Sequence, residues 1–245
     1  MTGAFIALEE LSARLWTVIY LRAPEDVGHD DLSHLAGWLP EDERASWKQR
    51  QSSKSRFEFL LGRLLVRAAL GSALQTSPSA VRIVVSSSGK PLLEAPSGET
   101  PVTFSLSHAG GRFLVALAGR GEVGADIQPT GDYRDDLVRR FFHPDEQEAL
   151  RGLAPERRAA GFFHLWTVKE ACSKAVGGDL FTSLRDIKCS LDRTGAWGRV
   201  RWESLEADAG AKAAVAIRPH SDGEALPAGR LERLAFNHLL EHYQP

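Results

Sequence analysis

The sequence predicts an α+β fold of two pseudo-symmetric lobes, each a small, mainly antiparallel sheet packed on a long helix, with an active site in the cleft between them. Two observations predict this fold. A long helical segment followed by a strand occurs twice, at 54–74 then 81–85 and at 157–176 then 187–191. The 245 residues, 43% hydrophobic and 25% charged, suffice for one large domain or two small ones. We therefore predict lobes at residues 1–120 and 121–245.

The first half mixes strands and helices. Residues 15–21 are rich in β-formers, and Pro40 with three acids after it resembles the first turn of a helix. Residues 54–74 carry apolar side chains at helical spacing, which predicts a helix with one buried face. Residues 81–85, 102–106 and 112–118 are predicted strands, separated by turns at 89–91 and 108–111.

The second half repeats this order. A strand at 122–128 precedes a helix with Pro144 near its start and then a long helix at about 157–176. Strands are predicted near 186–191, 197–203 and 211–218, and exposed loops at 207–212 and 219–229.

Composition argues against several classes of protein. The first 21 residues lack the pattern of a secretory signal, and no apolar run approaches the roughly 18 residues of a membrane span, so we expect a cytoplasmic protein without membrane contact. Cys172 and Cys189 have no metal-ligand spacing and are predicted to be reduced core thiols. The formal net charge of −2 argues against a dedicated nucleic-acid binder.

Residues 44–67 form a local basic segment in this nearly neutral chain. Such a segment suits a small polyanion better than a long duplex. Its basic side chains, against the single acid Glu58, are Arg44, Lys48, Arg50, Lys54, Arg56, Arg63 and Arg67.

Asp126, on a short apolar strand, and Glu170, on the long helix, are candidate ligands of a divalent cation. Magnesium typically takes one or two protein carboxylates and fills its other positions with water and substrate phosphate. Lys174, four residues after Glu170, is its neighbour on the helix surface and could meet a phosphate oxygen. The alternative is a solvated Glu-Lys pair worth about 0.3–0.5 kcal/mol, and spacing alone leaves it open.

The segment 105–111 ends a strand in a small, polar, Gly-rich turn. Ser107, His108 and the backbone N–H groups there can face an anion, although a capped strand end with a surface histidine is an equally good interpretation. A Ser-His-acid hydrolase is disfavoured, because neighbouring side chains of a strand point to opposite faces and no Gly-x-Ser-x-Gly occurs. The turn at Gly89 and Lys90 suits a phosphate but is common by chance. No P-loop or dinucleotide fingerprint is present.

The joint order of five motifs over about residues 40–190 resembles the 4′-phosphopantetheinyl transferases, of the long single-chain, two-lobed type that activates polyketide and peptide synthetase carrier proteins. The aspartate strand and the Trp-x-x-Lys-Glu helix are the specific part of this resemblance. The motifs are Gly89-Lys90-Pro91, Phe104 to His108, Val123 to Ile127, Phe141 to Glu146 and Trp166 to Lys174.

The resemblance implies roles for particular residues. Asp126, Glu170 and Gln128 would bind Mg²⁺, with Glu146 nearby as a further acid; many relatives have a glutamate where Gln128 stands, so looser metal binding is expected. The catalytic residues would be Glu170 as general base, Lys174 and His108. The coenzyme A contacts would come mainly from the first lobe: Arg44, Lys48 and Lys54 at the 3′-phosphate, Gly89 and Lys90 at the nucleotide, and Ser107, His108 and Lys174 at the phosphates.

The implied reaction is attack by a serine hydroxyl of an apo acyl or peptidyl carrier protein on the β-phosphorus of coenzyme A, releasing 3′,5′-ADP. The carrier is expected to dock at residues 129–140 through Tyr133 and Leu137, unless this is an ordinary connecting loop. A monomer is expected, because duplicated halves can complete one site. Two alternatives are a catalytically silent module that binds coenzyme A or carrier protein, and a metal-dependent phosphohydrolase.

Overall fold

Two four-stranded sheets pack face to face, and one long helix covers the outer face of each. The computed structural model describes residues 16–28, 30–86, 89–94, 102–177, 184–220 and 229–243. Three apolar clusters fill the spaces between helix and first sheet, between the two sheets, and between second sheet and helix. The order of layers is therefore helix, sheet, sheet, helix, which confirms the predicted α+β class with a sheet and a long helix in each lobe.

The strands and helices follow in chain order. The strands are β1 (Trp16–Arg22), β2 (Ile83–Val85), β3 (Pro91–Leu93), β4 (Thr103–Ala109), β5 (Arg112–Ala118), β6 (Glu122–Pro129), β7 (Thr194–Trp197), β8 (Val200–Leu205), β9 (Ala211–Arg218) and β10 (Arg230–Leu234). The α-helices are α1 (Glu41–Lys48), α2 (Ser53–Ala73), α3 (Asp135–Phe141), α4 (Pro144–Gly152), α5 (Pro155–Val176) and α6 (Phe236–Glu241). Two 3₁₀ helices span Ser33–Trp38 and Pro78–Ala80.

The two sheets share one topology. The first has the order β10-β1-β5-β4 and the second β6-β9-β8-β7. The run β1-β5-β4 corresponds strand for strand to β6-β9-β8, and every one of these pairings is antiparallel. The predicted pseudo-symmetry is therefore confirmed. β10, parallel to β1, is an addition to the first sheet.

The side chains of β5 alternate between the two faces of the first sheet, and each face packs against an apolar layer. Phe113, Val115 and Leu117 join the cluster under α2, whereas Leu114 and Ala116 join the cluster that faces the second sheet. Both faces of the strand are apolar, as expected for a strand covered on both sides.

The long helices occupy the predicted segments. α2 begins after Ser52, whose side chain accepts a hydrogen bond from the N–H of Ser55 at 3.1 Å. α5 has Pro155 in its first turn and ends at Gly177 in the left-handed conformation, with φ of 70°. None of the helices in the described residues has the length and apolarity needed to traverse a lipid bilayer.

Several predicted boundaries were wrong. Residues 187–190 are irregular, so the strand predicted at 186–191 does not form. The strand predicted at 197–203 is instead a hairpin of β7 and β8, because Gly198, with φ of 55°, makes a turn. The loop predicted at 207–212 is not exposed throughout, since Ala207 and Ala211 are buried between the sheets. The loop predicted at 219–229 falls mostly outside the described residues.

The C-terminal segment packs against the first sheet and α2. β10 pairs with β1, and the hydroxyl of Tyr243, after α6, donates a hydrogen bond to the carbonyl of Leu64 at 2.5 Å. The division at 120/121 remains a prediction, and residues 230–243 depart from it because they contact the N-terminal part of the fold.

Asp208 joins the two sheets near one end. Its carboxylate accepts hydrogen bonds from Tyr20 at 2.6 Å, Arg22 at 3.0 Å and Arg112 at 2.9 Å. The hydrogen bond from Tyr20 is the largest of the causes that hold the pKa of Asp208 well below its usual range. Two strands of the first sheet are thereby tied to the loop between β8 and β9.

Candidate active site

A glycine lets β6 and α5 approach each other closely. A methyl group on Gly124 would lie 2.0 Å from the carbonyl oxygen of Ala171 and 2.5 Å from the backbone nitrogen of Ala175. Any side chain at this position would therefore push the helix away from the strand. Asp126, two residues farther along β6, points to the same face and so towards α5.

Asp126, Glu170 and Lys174 meet at this contact, as the sequence predicts. One ammonium contacts the carboxyl groups of both acids, which brings Asp126 and Glu170 side by side. The ammonium of Lys174 lies 2.6 Å from Asp126 Oδ1 and 3.8 Å from Glu170 Oε2, and it donates to the carbonyl of Ala125 at 3.1 Å. Both carboxyl groups are buried, with Asp126 1% and Glu170 7% exposed. A solvated surface pair is therefore not what the structure shows.

Burial and the neighbouring Asp126 carboxylate raise the pKa of Glu170 to about 8. Lys174 and a hydrogen bond from the indole N–H of Trp166 act in the opposite direction. Trp166 lies one turn before Glu170 on α5, which makes the two side chains neighbours on the helix surface.

Serine hydroxyls link β4 to β6. Ser107 donates to Asp126 Oδ1 at 2.7 Å and accepts from the N–H of Ile127 at 3.3 Å, and Ser105 accepts from the N–H of Ala125 at 3.1 Å. Gln128 donates from Nε2 to Asp126 Oδ2 at 3.3 Å. Asp126 is thus held by both lobes, and the predicted residues Ser107 and Gln128 lie beside it.

His108 is exposed at the end of β4, and its ring stacks on Phe113 with centroids 5.5 Å apart. Partial removal of water from the ring lowers its pKa; Lys174 and Arg50 act in the same direction, and Glu58 opposes them. The stacking on Phe113 places the imidazole at the end of the first sheet, next to the apolar cluster under α2.

The turn at Gly89 connects the lobes through Lys90. Gly89 has φ of 82°, and the ammonium of Lys90 lies 3.1 Å from Glu122 Oε2 and 3.2 Å from the carbonyl oxygen of Lys174. Lys90 thus contacts the last turn of α5, which carries Lys174.

The predicted 3′-phosphate residues lie on the first two helices. Arg44 pairs with Glu41 on α1, exposed Lys48 ends that helix, and Lys54 lies 3.9 Å from Glu58 on α2. Two further arginines that the predicted set omits flank one aromatic ring. The guanidinium carbons of Arg50 and Arg63 are 4.7 Å and 5.3 Å from the ring centroid of Phe59.

Glu146 does not join the Asp126 cluster, which corrects its predicted place beside the metal. Its oxygens lie 2.9 Å and 2.7 Å from the ammonium of fully buried Lys169, and they accept the N–H groups of Cys189 and His143 at 2.8 Å each. Three donor groups thus make four hydrogen bonds to the carboxylate. A buried lysine needs such a partner, so the pair holds α5 against α4.

The remaining oxygen ligands suit Mg²⁺. Within the part of the chain that the structure describes, no three His, Cys, Asp or Glu side chains gather closely enough to hold a metal ion. Magnesium needs only one or two protein carboxylates when a substrate phosphate and water complete its coordination. Asp126 and Glu170, with the amide oxygen of Gln128, match that requirement.

Sequence reasoning missed three residues that shape the site. Gly124 had a detectable signal, because a glycine within an apolar strand indicates a close approach of backbone. Trp166 and Ser105 gave no signal beyond the motifs that contain them, since their partners become neighbours only after folding.

The two predicted thiols are both free. A hydrogen bond to Cys172, together with burial, raises the pKa of Cys189.

Comparisons with known proteins agree along most of the chain. A family model described as "4′-phosphopantetheinyl transferase superfamily" matches residues 122–217, and one described as "4′-phosphopantetheinyl transferase, N-terminal" matches residues 27–121. The 4′-phosphopantetheinyl transferase HetI of Nostoc sp. is 36% identical over 176 residues, which is 71% of this chain and 73% of the relative. A 4′-phosphopantetheinyl transferase of Bacillus subtilis is 27% identical over 177 residues, 72% of this chain and 76% of the relative. AcpT of Salmonella typhi is 36% identical over 170 residues, 64% and 81% of the two chains.

Replacing Gly124 by alanine should destabilise the protein by about 2–3 kcal/mol, because the added methyl group overlaps the backbone of α5. The matched control is Gly152→Ala, since no atom lies within 4 Å of a methyl group there. Urea unfolding measures both variants. Equal stability of the Gly124 variant and the control would contradict the close packing of β6 on α5.

Breaking the buried pair should cost about 3–5 kcal/mol in either Glu146→Gln or Lys169→Met, because each leaves one charged or polar group buried without its partner. The double variant should lose less than the sum of the two, with a coupling energy of about 1–3 kcal/mol. Additive losses in the same unfolding experiment would show that Glu146 and Lys169 do not stabilise the fold as a pair.

Proposed function

Because the chain belongs to the 4′-phosphopantetheinyl transferase superfamily and is a 4′-phosphopantetheinyl transferase, we propose that it moves the 4′-phosphopantetheine group of coenzyme A to a carrier protein. The acceptor would be a serine of an apo acyl or peptidyl carrier protein, and the reaction would require Mg²⁺. The observation that carries the proposal is the meeting of Asp126, Glu170 and Lys174 where β4, β6 and α5 converge. Two carboxylates and one amine there suit a diphosphate and a cation.

In this proposal the two lobes divide the binding of coenzyme A. Residues 1–120 supply the nucleotide and 3′-phosphate contacts, with Arg44, Lys48, Lys54, Gly89 and Lys90 as candidates. Residues 121–245 supply the metal ligands and the catalytic helix. The observation that supports this division is the hydrogen bond from Ser107, at the edge of the first lobe, to Asp126 of the second. A diphosphate lying across that edge would contact both lobes.

Asp126 and Glu170, with Gln128, would hold the metal, which when bound supplies positive charge to the diphosphate. Ser107 orients Asp126 by donating to Oδ1, and Trp166 orients Glu170. Phosphoryl transfer depends mainly on such positioning and on charge neutralisation.

The reaction forms a bond between the carrier serine oxygen and the β-phosphorus and breaks the bond from that phosphorus to the oxygen of 3′,5′-ADP. Glu170 accepts the serine proton, directly or through a water molecule, and passes it to solvent. The route through water fits better, because a carboxylate that is also a metal ligand is a weak base. Lys174 would offset the negative charge on the phosphate oxygens as the bond breaks, and His108 would donate a hydrogen bond to one of them as a neutral imidazole, because its pKa is lowered.

The carrier protein would dock on residues 129–140, beside the N-terminal half of α5. Tyr133 and Leu137 are half-buried there, and the ring of Tyr133 packs edge-on against Phe162 with centroids 6.1 Å apart. The exposed guanidinium of Arg140 lies over the ring of Phe141 at 4.9 Å. An apolar patch with a neighbouring cation suits the acidic helices expected of a carrier.

Incubation of the protein with Mg²⁺, coenzyme A and an apo carrier protein should add one phosphopantetheine group to the carrier, and a chelator should prevent it. Asp126→Asn and Glu170→Gln should each lower the rate about 10²-fold or more, because each removes a charged ligand or base from the reacting centre. Intact-mass spectrometry of the carrier measures the transfer.

The matched control is Glu148→Gln, the same chemical change at an exposed position of α4, which should transfer at the rate of the unaltered protein. An unmodified carrier with coenzyme A still bound would support the silent binding module instead. Release of nucleotide from coenzyme A without any carrier would support the phosphohydrolase.

A further inference from the structure

The ammonium of Lys174 lies where positive charge is needed. It contacts Asp126 Oδ1 at 2.6 Å and the Ala125 carbonyl at 3.1 Å, and it is 3.8 Å from Glu170 Oε2. Its side chain is only 25% exposed. One lysine therefore lies against both buried carboxyl groups of the site.

The hydrogen bonds of Asp126 leave little room for a second cation. Oδ1 accepts from both Ser107 and Lys174, and a carboxylate oxygen has about two acceptor positions. Oδ2 accepts from the amide of Gln128. A cation shared by Asp126 and Glu170 could use the second acceptor position of Oδ2, but it would still lie close to the ammonium, which contacts the other oxygen of Asp126 at 2.6 Å and lies 3.8 Å from Glu170 Oε2. Two positive charges that close repel strongly in a buried site.

We propose that Lys174 is a built-in counter-cation of this site, and that its ammonium must leave Asp126 before a divalent metal can bind there tightly. This inference rests on the proposed function, and it concerns the order of binding at the same site. The metal would enter together with a diphosphate, because the diphosphate offers the displaced ammonium a new anionic partner. Free metal alone would bind weakly.

The backbone of Lys174 is held by Lys90, whereas its ammonium can change partners by rotation within the side chain. Lys90 donates to the carbonyl oxygen of Lys174 at 3.2 Å and pairs with Glu122 at 3.1 Å, which fixes the end of α5. A lysine side chain has four rotatable bonds, so its ammonium can move by several ångströms without any shift of the helix. The exchange of partners needs no rearrangement of the fold.

Titration of the full-length protein with Mn²⁺, followed by the electron paramagnetic resonance signal of the free ion in the absence of coenzyme A, tests the proposal. Lys174→Met should bind Mn²⁺ at least about tenfold more tightly than the unaltered protein, because the competing charge is gone. The matched control Lys174→Arg keeps the charge and should bind weakly. Lys174→Gln replaces the methionine variant if that protein does not fold, as judged by circular dichroism.

Equal or weaker Mn²⁺ binding by the uncharged variant would overturn the counter-cation role. The measurement also separates this failure from a failure of the proposed function. Adding Asp126→Asn to Lys174→Met should abolish the tight binding; if it does not, the ion is bound elsewhere and the proposed metal site itself is wrong. Coenzyme A should tighten Mn²⁺ binding more in the unaltered protein than in Lys174→Met, and an equal gain in both would also contradict the proposal.

Discussion

The close contact between β6 and α5 is the constraint on which the site depends. Gly124 has no side chain, so the strand lies directly against the helix backbone at Ala171 and Ala175. That distance puts Asp126 next to Glu170 and Lys174 and buries both carboxyl groups among apolar residues of the strand and helix, whereas the Lys174 side chain is 25% exposed. Burial makes their charges interact strongly, which explains both the raised pKa of Glu170 and the tight ion pair of Asp126 with Lys174. A looser contact would leave three separate solvated side chains.

The site also requires a fixed position of one lobe relative to the other. Near the carboxylates the link is made by Ser105 and Ser107, which bind the edge of β6 through hydroxyl groups. Lys90 ties the first lobe to the end of α5, and Asp208 ties the loop between β8 and β9 to the first sheet. Since the apolar layer between the sheets is not directional, these polar contacts are what fix one sheet relative to the other. Ser107 and Asp126 can therefore belong to one site although they come from different lobes.

Much of this could be predicted from the sequence where local pattern decides the structure. The two long helices followed their apolar spacing, and the pairing of Asp126 with Glu170 followed from the motifs. The errors arose where distant contacts decide. Glu146 has the same residue type and neighbourhood as a metal ligand, but buried Lys169 is its partner, and no spacing rule reveals that. The small, polar residues at 207–212 resemble an exposed loop, yet the sheets enclose part of them. β10 carries three charged residues in five, and it forms because β1 offers it a free edge.

We propose that Asp126 and Glu170 share one divalent cation with the diphosphate of coenzyme A. Anomalous X-ray scattering from a crystal grown with Mn²⁺ and coenzyme A can locate that cation. We expect one strong peak about 2.1 Å from a carboxylate oxygen of each residue and next to the diphosphate, with the ammonium of Lys174 moved from Asp126 to a phosphate oxygen. A peak elsewhere, or a coenzyme A whose diphosphate lies away from both carboxylates, would contradict it.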